Sequence, residues 1–324
     1  MSATFGPAEP LLGAALFAGR APSLHNSQPW HWRVGADVLD LRLEPHRILW
    51  VTDPTTRLAV LSCGVALHHA RIHLAAAGWR VDTARVPDGD DPDLLARLRL
   101  DGHAPADYEA IRLVRAAAHR RTDRRAASGS PVDLHRVGSI RQAVRGQGAE
   151  LTPLRPNQVF ALAEAAEMAH VVEEADPDWQ VEVATWVGGD RPVGTGVPTT
   201  ALPADPELLT APARVLRRAG SALLARPYRY PAVFSVLHST GDDRCDWVTA
   251  GEALSAGWLT ATHLDVAVLP LSVVTEVASS RDRIRRLLDW SGYPHLVLRL
   301  AAGGVSPATA ATPRLAPEEF ITRA

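Results

Sequence analysis

The chain has 324 residues, 46% of them hydrophobic, which is enough for one large domain or two ordinary ones. Its net charge of −2 gives no basic excess for binding nucleic acid or an acidic membrane surface. All 34 basic residues are arginine, which excludes a lysine Schiff base, a lysine nucleophile and a P-loop lysine.

Two further features restrict the class of protein. The cysteines are only Cys63 and Cys245, which argues against a disulfide framework or a cysteine metal site. Residues 1–10 lack the basic-then-apolar order of a secretory signal, and the chain has no uninterrupted apolar run of about 18 residues. We therefore expect a soluble cytoplasmic protein.

The first part of the chain mixes helical and strand patterns. Apolar periodicity predicts a helix over 9–20 and a strongly apolar helix over 57–77, with a hairpin over 30–43 between them. Strands are expected at 79–86 and 94–100, although the second pattern also suits a helix.

The second part begins with three predicted helices, over 108–120, 132–145 and 157–174. Glycine and proline then become frequent from about 185 to 232, which is typical of a lid, a binding loop or disorder. A short strand at 233–238, a second strongly apolar helix at 246–265 and a strand at 296–301 follow.

The two strongly apolar helices carry a weak internal repeat. An offset of 187 residues places four residues on identical ones: Arg57 on Arg244, Gly64 on Gly251, Ala66 on Ala253 and Leu67 on Leu254. These are common residues, so chance also explains the match. A true duplication would make the chain a fused pseudo-dimer with two-fold symmetry between its halves.

The segment Pro22-Ser23-Leu24-His25-Asn26-Ser27-Gln28-Pro29-Trp30 is the most unusual one in the chain. Asn26 and Gln28 each offer a donor and an acceptor, which suits the edge of a planar heterocycle. The alternative is a plain turn between a helix and a strand, with Asn26 capping locally.

A second segment, Arg120-Arg121-Thr122-Asp123-Arg124, places three guanidinium groups around one hydroxyl, which suits a phosphate. The alternative is a solvated basic helix end. A ligand with both a polar ring and a phosphate, such as flavin mononucleotide (FMN), would use both segments.

Other catalytic patterns are weak. His69 and His73 have the spacing of a zinc pair, but their helix is otherwise apolar, so we favour core histidines and no metal. No serine stands in a nucleophile elbow. Gly194-Thr195-Gly196 is weak evidence for a dinucleotide fold.

Together the two segments resemble the nitroreductase-like flavoproteins, most closely the Acg family. Arg120, Thr122 and Arg124 match the family's phosphate-binding pattern, and the Pro22 to Trp30 segment matches its flavin-lining turn. Residues 265–274, with Val268-Leu269-Pro270-Leu271, resemble its loop beside flavin N5, and Thr312-Pro313-Arg314 resembles its last phosphate contact. One departure is Ser272-Val273, where active members commonly have Glu-Gly.

The resemblance implies an α+β, nitroreductase-like fold built from two fused halves related by a pseudo-two-fold axis. We predict a first half at 1–105 and a second at 106–324, with a lid-like insertion at about 185–232. It also implies one FMN per chain, held by the following residues: Pro22, Ser23, His25, Asn26, Gln28, Arg120, Arg121, Thr122, Arg124, Pro270, Leu271, Ser272 and Arg314.

The expected activity is an FMN-dependent oxidoreductase that passes electrons from NAD(P)H to a small nitroaromatic or quinone-type acceptor. The flavin would carry the chemistry, so no residue is predicted as catalytic. The alternative is an FMN store whose lid occludes the flavin. A fused pseudo-dimer slightly favours a monomer over a homodimer.

Overall fold

The computed structural model describes residues 8–124, 130–188, 191, 193–202, 232–303 and 311–323. Its helices are α1 (Ala8–Ala18), α2 (Arg57–Ala76), α3 (Tyr108–His119), α4 (Leu134–Arg145), α5 (Pro156–Glu174), α6 (Pro177–Trp186), α7 (Arg244–His263), α8 (Val273–Glu276), α9 (Ala278–Leu287) and α10 (Pro317–Phe320). Its strands are β1 (Trp30–Val34), β2 (Val38–Leu43), β3 (Trp79–Arg85), β4 (Leu94–His103), β5 (Glu150–Pro153), β6 (Ala232–Ser239), β7 (Val266–Leu271), β8 (Tyr293–Ala302) and β9 (Ile321–Arg323).

The strands form two sheets with the same order. One sheet runs β3-β4-β2-β1, and the other runs β7-β8-β6-β5. Within both, the neighbouring strands are antiparallel. The first sheet gains β9, which pairs in parallel with β1. Helices packed against these sheets confirm the expected α+β class.

Helices α2 and α7 pack closely against each other at the centre of the molecule. A Cβ built on Gly64 would overlap the carbonyl oxygen of Val248, and one built on Gly251 would overlap that of Leu61. Only glycine permits this approach of two backbones. Gly64 and Gly251 are also two of the residues that the 187-residue offset relates.

Helix α2 begins after a local cap supplied by Asp53. Its carboxylate accepts a hydrogen bond from the Ala59 amide at 2.8 Å, which satisfies a donor of the first turn. The helix is long and apolar enough to cross a membrane, but most of it is buried inside the molecule. An apolar composition is also typical of a helix in the core of a protein, and the burial of α2 shows that it is such a helix.

The sequence left several short elements unpredicted. These are α6, β5, α8, α9, α10 and β9. Residues 266–271 were expected within a loop but form the buried strand β7. Pro270 is tolerated there because β7 lies at the edge of its sheet, where one side of the strand needs no ladder hydrogen bonds.

The end of the chain returns to the first sheet. Strand β9 pairs with β1, so the predicted second half completes the sheet of the predicted first half. The preceding residues 312–315 lie against the turn that contains Asn26 and Gln28. The C-terminal segment therefore helps to build the region where the two halves meet.

Candidate functional site

A cleft opens beside the contact between α2 and α7. Helix α2 contributes Leu58, Leu61, Ser62 and Val65, and α7 contributes Leu254 and Trp258. Of the predicted site residues, the cleft is lined by Pro22, Ser23, His25, Thr122, Arg124, Pro270, Leu271 and Ser272. Its far wall is made by His170, Glu173, Trp179, Val183, Val273 and Glu276.

The turn after Pro22 has an uncommon backbone conformation. His25, Asn26 and Gln28 have φ values of 44°, 57° and 51°, in the left-handed region. Each non-glycine residue held there costs on the order of 1 kcal/mol. The Ser23 hydroxyl accepts a hydrogen bond from the Gln28 amide at 2.9 Å, which closes the turn and helps to hold this conformation.

His25 enters the cleft as a neutral side chain. Burial, assisted by the positive charge of Arg124, lowers its pKa to about 4. Its imidazole is therefore uncharged at neutral pH and can both donate and accept a hydrogen bond.

The side-chain amides of Asn26 and Gln28 point away from the cleft lining. Asn26 donates to the carbonyl oxygens of Gly196 (3.0 Å) and Pro313 (3.1 Å). Gln28, which is 0% exposed, donates to the Gly194 carbonyl at 2.6 Å and accepts from the Leu315 amide at 3.2 Å. Both amides therefore hydrogen-bond to the backbone of residues 194–196 and 313–315. Their contact with flavin stays a prediction.

Arg120 is buried with part of its hydrogen-bonding capacity unused. Its side chain lies 4.6 Å from the ring centre of Trp258, and its Nε and Nη1 atoms have no hydrogen-bond partner. Burial, with repulsion from Arg314, Arg121 and Arg124, lowers its pKa to about 9, so it remains charged at pH 7. A buried cation with free donors is costly unless an anion binds beside it.

The neighbouring arginines reinforce this positive charge. Burial lowers the pKa of Arg124 and of Arg314 to about 10. Arg314 donates to the Asn26 side chain at 3.0 Å and to the Thr312 hydroxyl at 2.6 Å. No ion pair between described residues neutralises Arg120, Arg124 or Arg314. Together with the Thr122 hydroxyl, these groups fit a phosphate.

Arg121 differs from its neighbours. Its Nη1 donates to the carbonyl oxygens of Ala118 (3.2 Å) and Arg120 (2.8 Å) at the end of α3. It contributes charge to the cluster but is partly exposed; like Arg314 and the buried Arg120, it is not among the residues that line the cleft. The sequence pattern alone does not distinguish it from Arg120.

The predicted lid is described in part. Trp186 is buried, and Arg191 lies 3.4 Å from its ring centre. Val187 and Val197 form a bridge, and this segment packs on Leu49. Residues 203–231 of the predicted insertion lie outside the described residues. The cleft is covered on this side by α6, through Trp179 and Val183.

Two acidic residues of the cleft were missed by the sequence analysis. Glu173 on α5 is 4% exposed, and burial raises its pKa to about 7. Burial and the nearby Glu173 raise the pKa of Glu276 well above its ordinary value. The available signals were a glutamate within an apolar helical pattern and another just after an apolar strand, and both are also typical of solvent-exposed positions.

The predicted core histidines are found where expected. His68 and His69 are buried in the core between α2 and α7, and both ring Nδ1 atoms lie near the Ser255 hydroxyl, at 2.8 and 3.1 Å. His73 stacks on Phe17. Among the described residues no cluster of metal-ligating side chains is present.

Relatives of known name identify the family. The chain is 34% identical over 304 residues to a Mycobacterium tuberculosis protein provisionally named NAD(P)H nitroreductase Rv3131, covering 93% of this chain and 87% of the relative. It is 31% identical over 318 residues to Acg, which has the same provisional activity name and organism, covering 95% and 92%. The chain belongs to the nitroreductase family and is related to Acg.

Solved structures are more distant. NfnB of Mycobacterium smegmatis, an FMN-dependent nitroreductase solved with NADPH, is 15% identical with a TM-score of 0.39 and covers 65% of this chain and 96% of its own. A provisionally assigned nitroreductase of Anabaena variabilis is 11% identical with a TM-score of 0.44, covering 82% and 69%. No family model matches the sequence. The family assignment rests on the mycobacterial relatives and confirms the resemblance drawn from the sequence.

Proposed function

We propose that this protein is an FMN-dependent oxidoreductase that takes electrons from NAD(P)H, with the flavin held in the cleft. The supporting observation is Arg120, whose buried guanidinium keeps two donor atoms without a partner. A phosphate there would supply both the missing acceptors and the missing negative charge. Thr122, Arg124 and Arg314 would complete the phosphate site.

The rest of the cleft suits a planar ring system. Leu58, Leu61, Val65 and Trp258 give it apolar walls, and residues 270–272 form the opposite edge. FMN bound there would supply hydride transfer. The chain itself would orient the ring, exclude water, and present the neutral His25 and the Ser23 hydroxyl as hydrogen-bonding groups.

The names of the relatives support the same direction of electron flow. Rv3131 and Acg are both named as NAD(P)H nitroreductases, and each aligns over most of this chain. We propose a small nitroaromatic or quinone-type compound as acceptor, because the cleft walls are mainly apolar.

An absorbance spectrum followed by anaerobic NADPH addition tests the proposal. Purified protein should carry flavin bands or gain them when FMN is added, and NADPH should bleach them. Absence of flavin binding after FMN addition would contradict the phosphate site. Bound flavin that NADPH and NADH both fail to bleach would contradict the oxidoreductase.

A second candidate function is flavin storage. It is favoured by Asn26 and Gln28, which fasten residues 194–196 and 313–315 over one side of the site. A closed cover would keep nicotinamide away from the ring. Loosening this cover through Gln28→Ala should then convert a flavin that resists NADPH into one that is reduced.

We also infer that the chain arose by tandem duplication, with the junction near residue 106. Two observations support this: the shared strand order of the two sheets, and the contact between Gly64 and Gly251. One FMN per chain follows if only one of the two equivalent positions kept its site. Since the halves already pack against each other, we propose a monomer located in the cytoplasm.

A further inference from the structure

Two carboxyl groups meet at the wall of the cleft next to the Pro270–Val273 segment. Glu173 comes from α5 and Glu276 from α8, and both line the cleft. The two carboxyl groups interact with each other, and Glu276 also interacts with the Ser272 side chain. Residues from three parts of the chain therefore place this pair beside the proposed flavin site.

Glu173 lacks the donors that an ionised carboxylate would need. Neither oxygen of Glu173 accepts a hydrogen bond from a group in the described chain. The nearest ring nitrogen, Nδ1 of His170, is 3.5 Å from Glu173 Oε2. Two facing carboxylates repel each other, whereas a single proton between them supplies a donor and removes one charge.

The nearest charged groups act on the pair in opposite directions: Asp53 raises the pKa of Glu276, whereas the buried cation Arg57 attracts its ionised form. Asp53 adds negative charge from the segment before α2. Arg57 on α2 gives its hydrogen bonds to the carbonyl oxygens of His295 (2.9 Å) and Thr275 (2.5 Å). Arg281 on α9 is paired with Asp242 at 2.6 Å. Burial lowers the pKa of His295 on β8 to about 3, so this ring is neutral.

We propose that Glu173 and Glu276 hold one proton between them at neutral pH and donate it to the acceptor reduced in the cleft. This inference rests on the proposed function, which supplies the hydride. Reduction of a nitro group to a nitroso group consumes one hydride and one proton. One nitrogen–oxygen bond breaks, and that oxygen leaves as water. The pair then recovers its proton from solvent through the open cleft.

The protonation state can be measured without turnover. The infrared spectrum of the protein at pH 7 should contain the C=O stretch of a buried carboxylic acid. Glu173→Gln and Glu276→Gln should each remove that band, whereas Glu174→Gln, at the exposed neighbouring position, should retain it. Absence of the band in the wild-type protein at pH 7 would overturn the inference by itself.

Two acceptors then separate proton donation from electron transfer. With NADPH as donor, 4-nitroacetophenone needs a proton for its reduction, whereas ferricyanide takes electrons alone. Glu173→Gln and Glu276→Gln should lower kcat for the nitro compound by about 100-fold more than kcat for ferricyanide, which is the low end for general acid catalysis. Equal losses with both acceptors, or no loss with the nitro compound, would overturn the proton-donor role.

Failure of the proposed function gives a different pattern. A wild-type protein that reduces neither acceptor would contradict the oxidoreductase, and the donor role with it, even if the carboxylic acid band is present. A protein that reduces both acceptors but lacks the band would contradict the proton-sharing pair alone.

Discussion

The two sides of the α2–α7 helix pair carry different side chains at positions related by the 187-residue offset. The side chains are uncharged on one side and charged on the other. On one side Val65, Trp258 and Ser272 line the open cleft. The 187-residue offset places these residues on Glu252, Arg71 and Arg85. Those three residues form two ion pairs. The fully buried Glu252 carboxylate accepts one hydrogen bond from Arg71 Nη1 and one from Arg85 Nε, each at 2.5 Å.

If the chain arose by duplication, as proposed above, this difference would explain why only one of the two related positions keeps a site. At the cleft, uncharged side chains leave a volume that a ring can fill. At the counterpart, long charged side chains converge and occupy it. Once paired, a buried carboxylate resists removal of either partner, because the remaining charge would be left without compensation. Under the proposed duplication, the triad of Arg71, Glu252 and Arg85 would fill the second position. Its two ion pairs join α2 and β3 to α7.

The largest effect is expected from breaking this triad. Glu252→Ala should lower the free energy of unfolding by about 3 kcal/mol, because two arginines lose their buried partner. Chemical denaturation measures this directly. Glu109→Ala, which breaks an exposed pair with Arg112, serves as control and should cost less than about 1 kcal/mol. Equal losses of unfolding free energy in both variants would show that the triad stabilises the protein no more than an exposed ion pair does.

A triple exchange sharpens the same comparison. Arg71→Trp, Glu252→Val and Arg85→Ser together install the residues of the cleft at the counterpart positions. Because hydrophobic replacement of a whole buried ion group is often neutral or stabilising, this variant should be more stable than Glu252→Val alone. A triple variant that is less stable than the single one would contradict the equivalence of the two positions.

On the cleft side, Arg120→Ala should weaken FMN binding by about 30-fold, which is the loss of roughly 2 kcal/mol in charge-assisted hydrogen bonds. Flavin fluorescence titration gives the dissociation constant. Arg115→Ala, an exposed change on the preceding helix α3, should leave it unchanged. If Arg120→Ala binds FMN as tightly as wild type, the phosphate lies elsewhere.

A smaller effect is expected from the cover of the cleft. Gln28→Ala removes the partners of the Gly194 carbonyl and the Leu315 amide, at a cost on the order of 1 kcal/mol. Limited proteolysis should cut residues 186–202 faster, and NADPH should reduce bound flavin faster. Gln142→Ala, exposed on α4, is the control. Unchanged cutting would mean that Gln28 does not hold this segment.

A pH dependence of stability is also expected from Glu173. Its folded pKa is raised from 4.5 to about 7, so the folded state binds a proton that the unfolded state releases in this range. Its contribution is therefore fully present below pH 4.5 and is lost as the pH rises through 7. Unfolding curves between pH 5 and 8 should show the decline, and Glu173→Gln should reduce it.

Patterns of local periodicity predicted the long elements well. The apolar helices α2 and α7, the β1–β2 hairpin and the strand β3 were all visible, because each has a continuous period or a clear turn signal, whereas the pattern of β4 also suited a helix. Strand β7 was missed because Pro270 is typical of loops, and an edge position is a tertiary property. The short α8 and β9 depend on packing that no local window contains.

The candidate site was predictable only as residue types. The sequence pointed to Arg120 and Arg124 as part of a charged cluster. It did not indicate that Arg120 is buried beside Trp258 while Arg121 is partly exposed. Asn26 and Gln28 have the right chemistry for a ring edge, and the same amides also suit the backbone carbonyls that they meet here. The Glu173–Glu276 pair joins residues about a hundred positions apart, which one sequence cannot bring together.

The central claim is that one of two equivalent positions binds flavin, and a titration of flavin-free protein with FMN tests it most directly. The account predicts one FMN per chain, with affinity lost in Arg120→Ala and retained in Arg115→Ala. Two FMN molecules per chain, or one whose affinity is unaffected by Arg120→Ala, would contradict it.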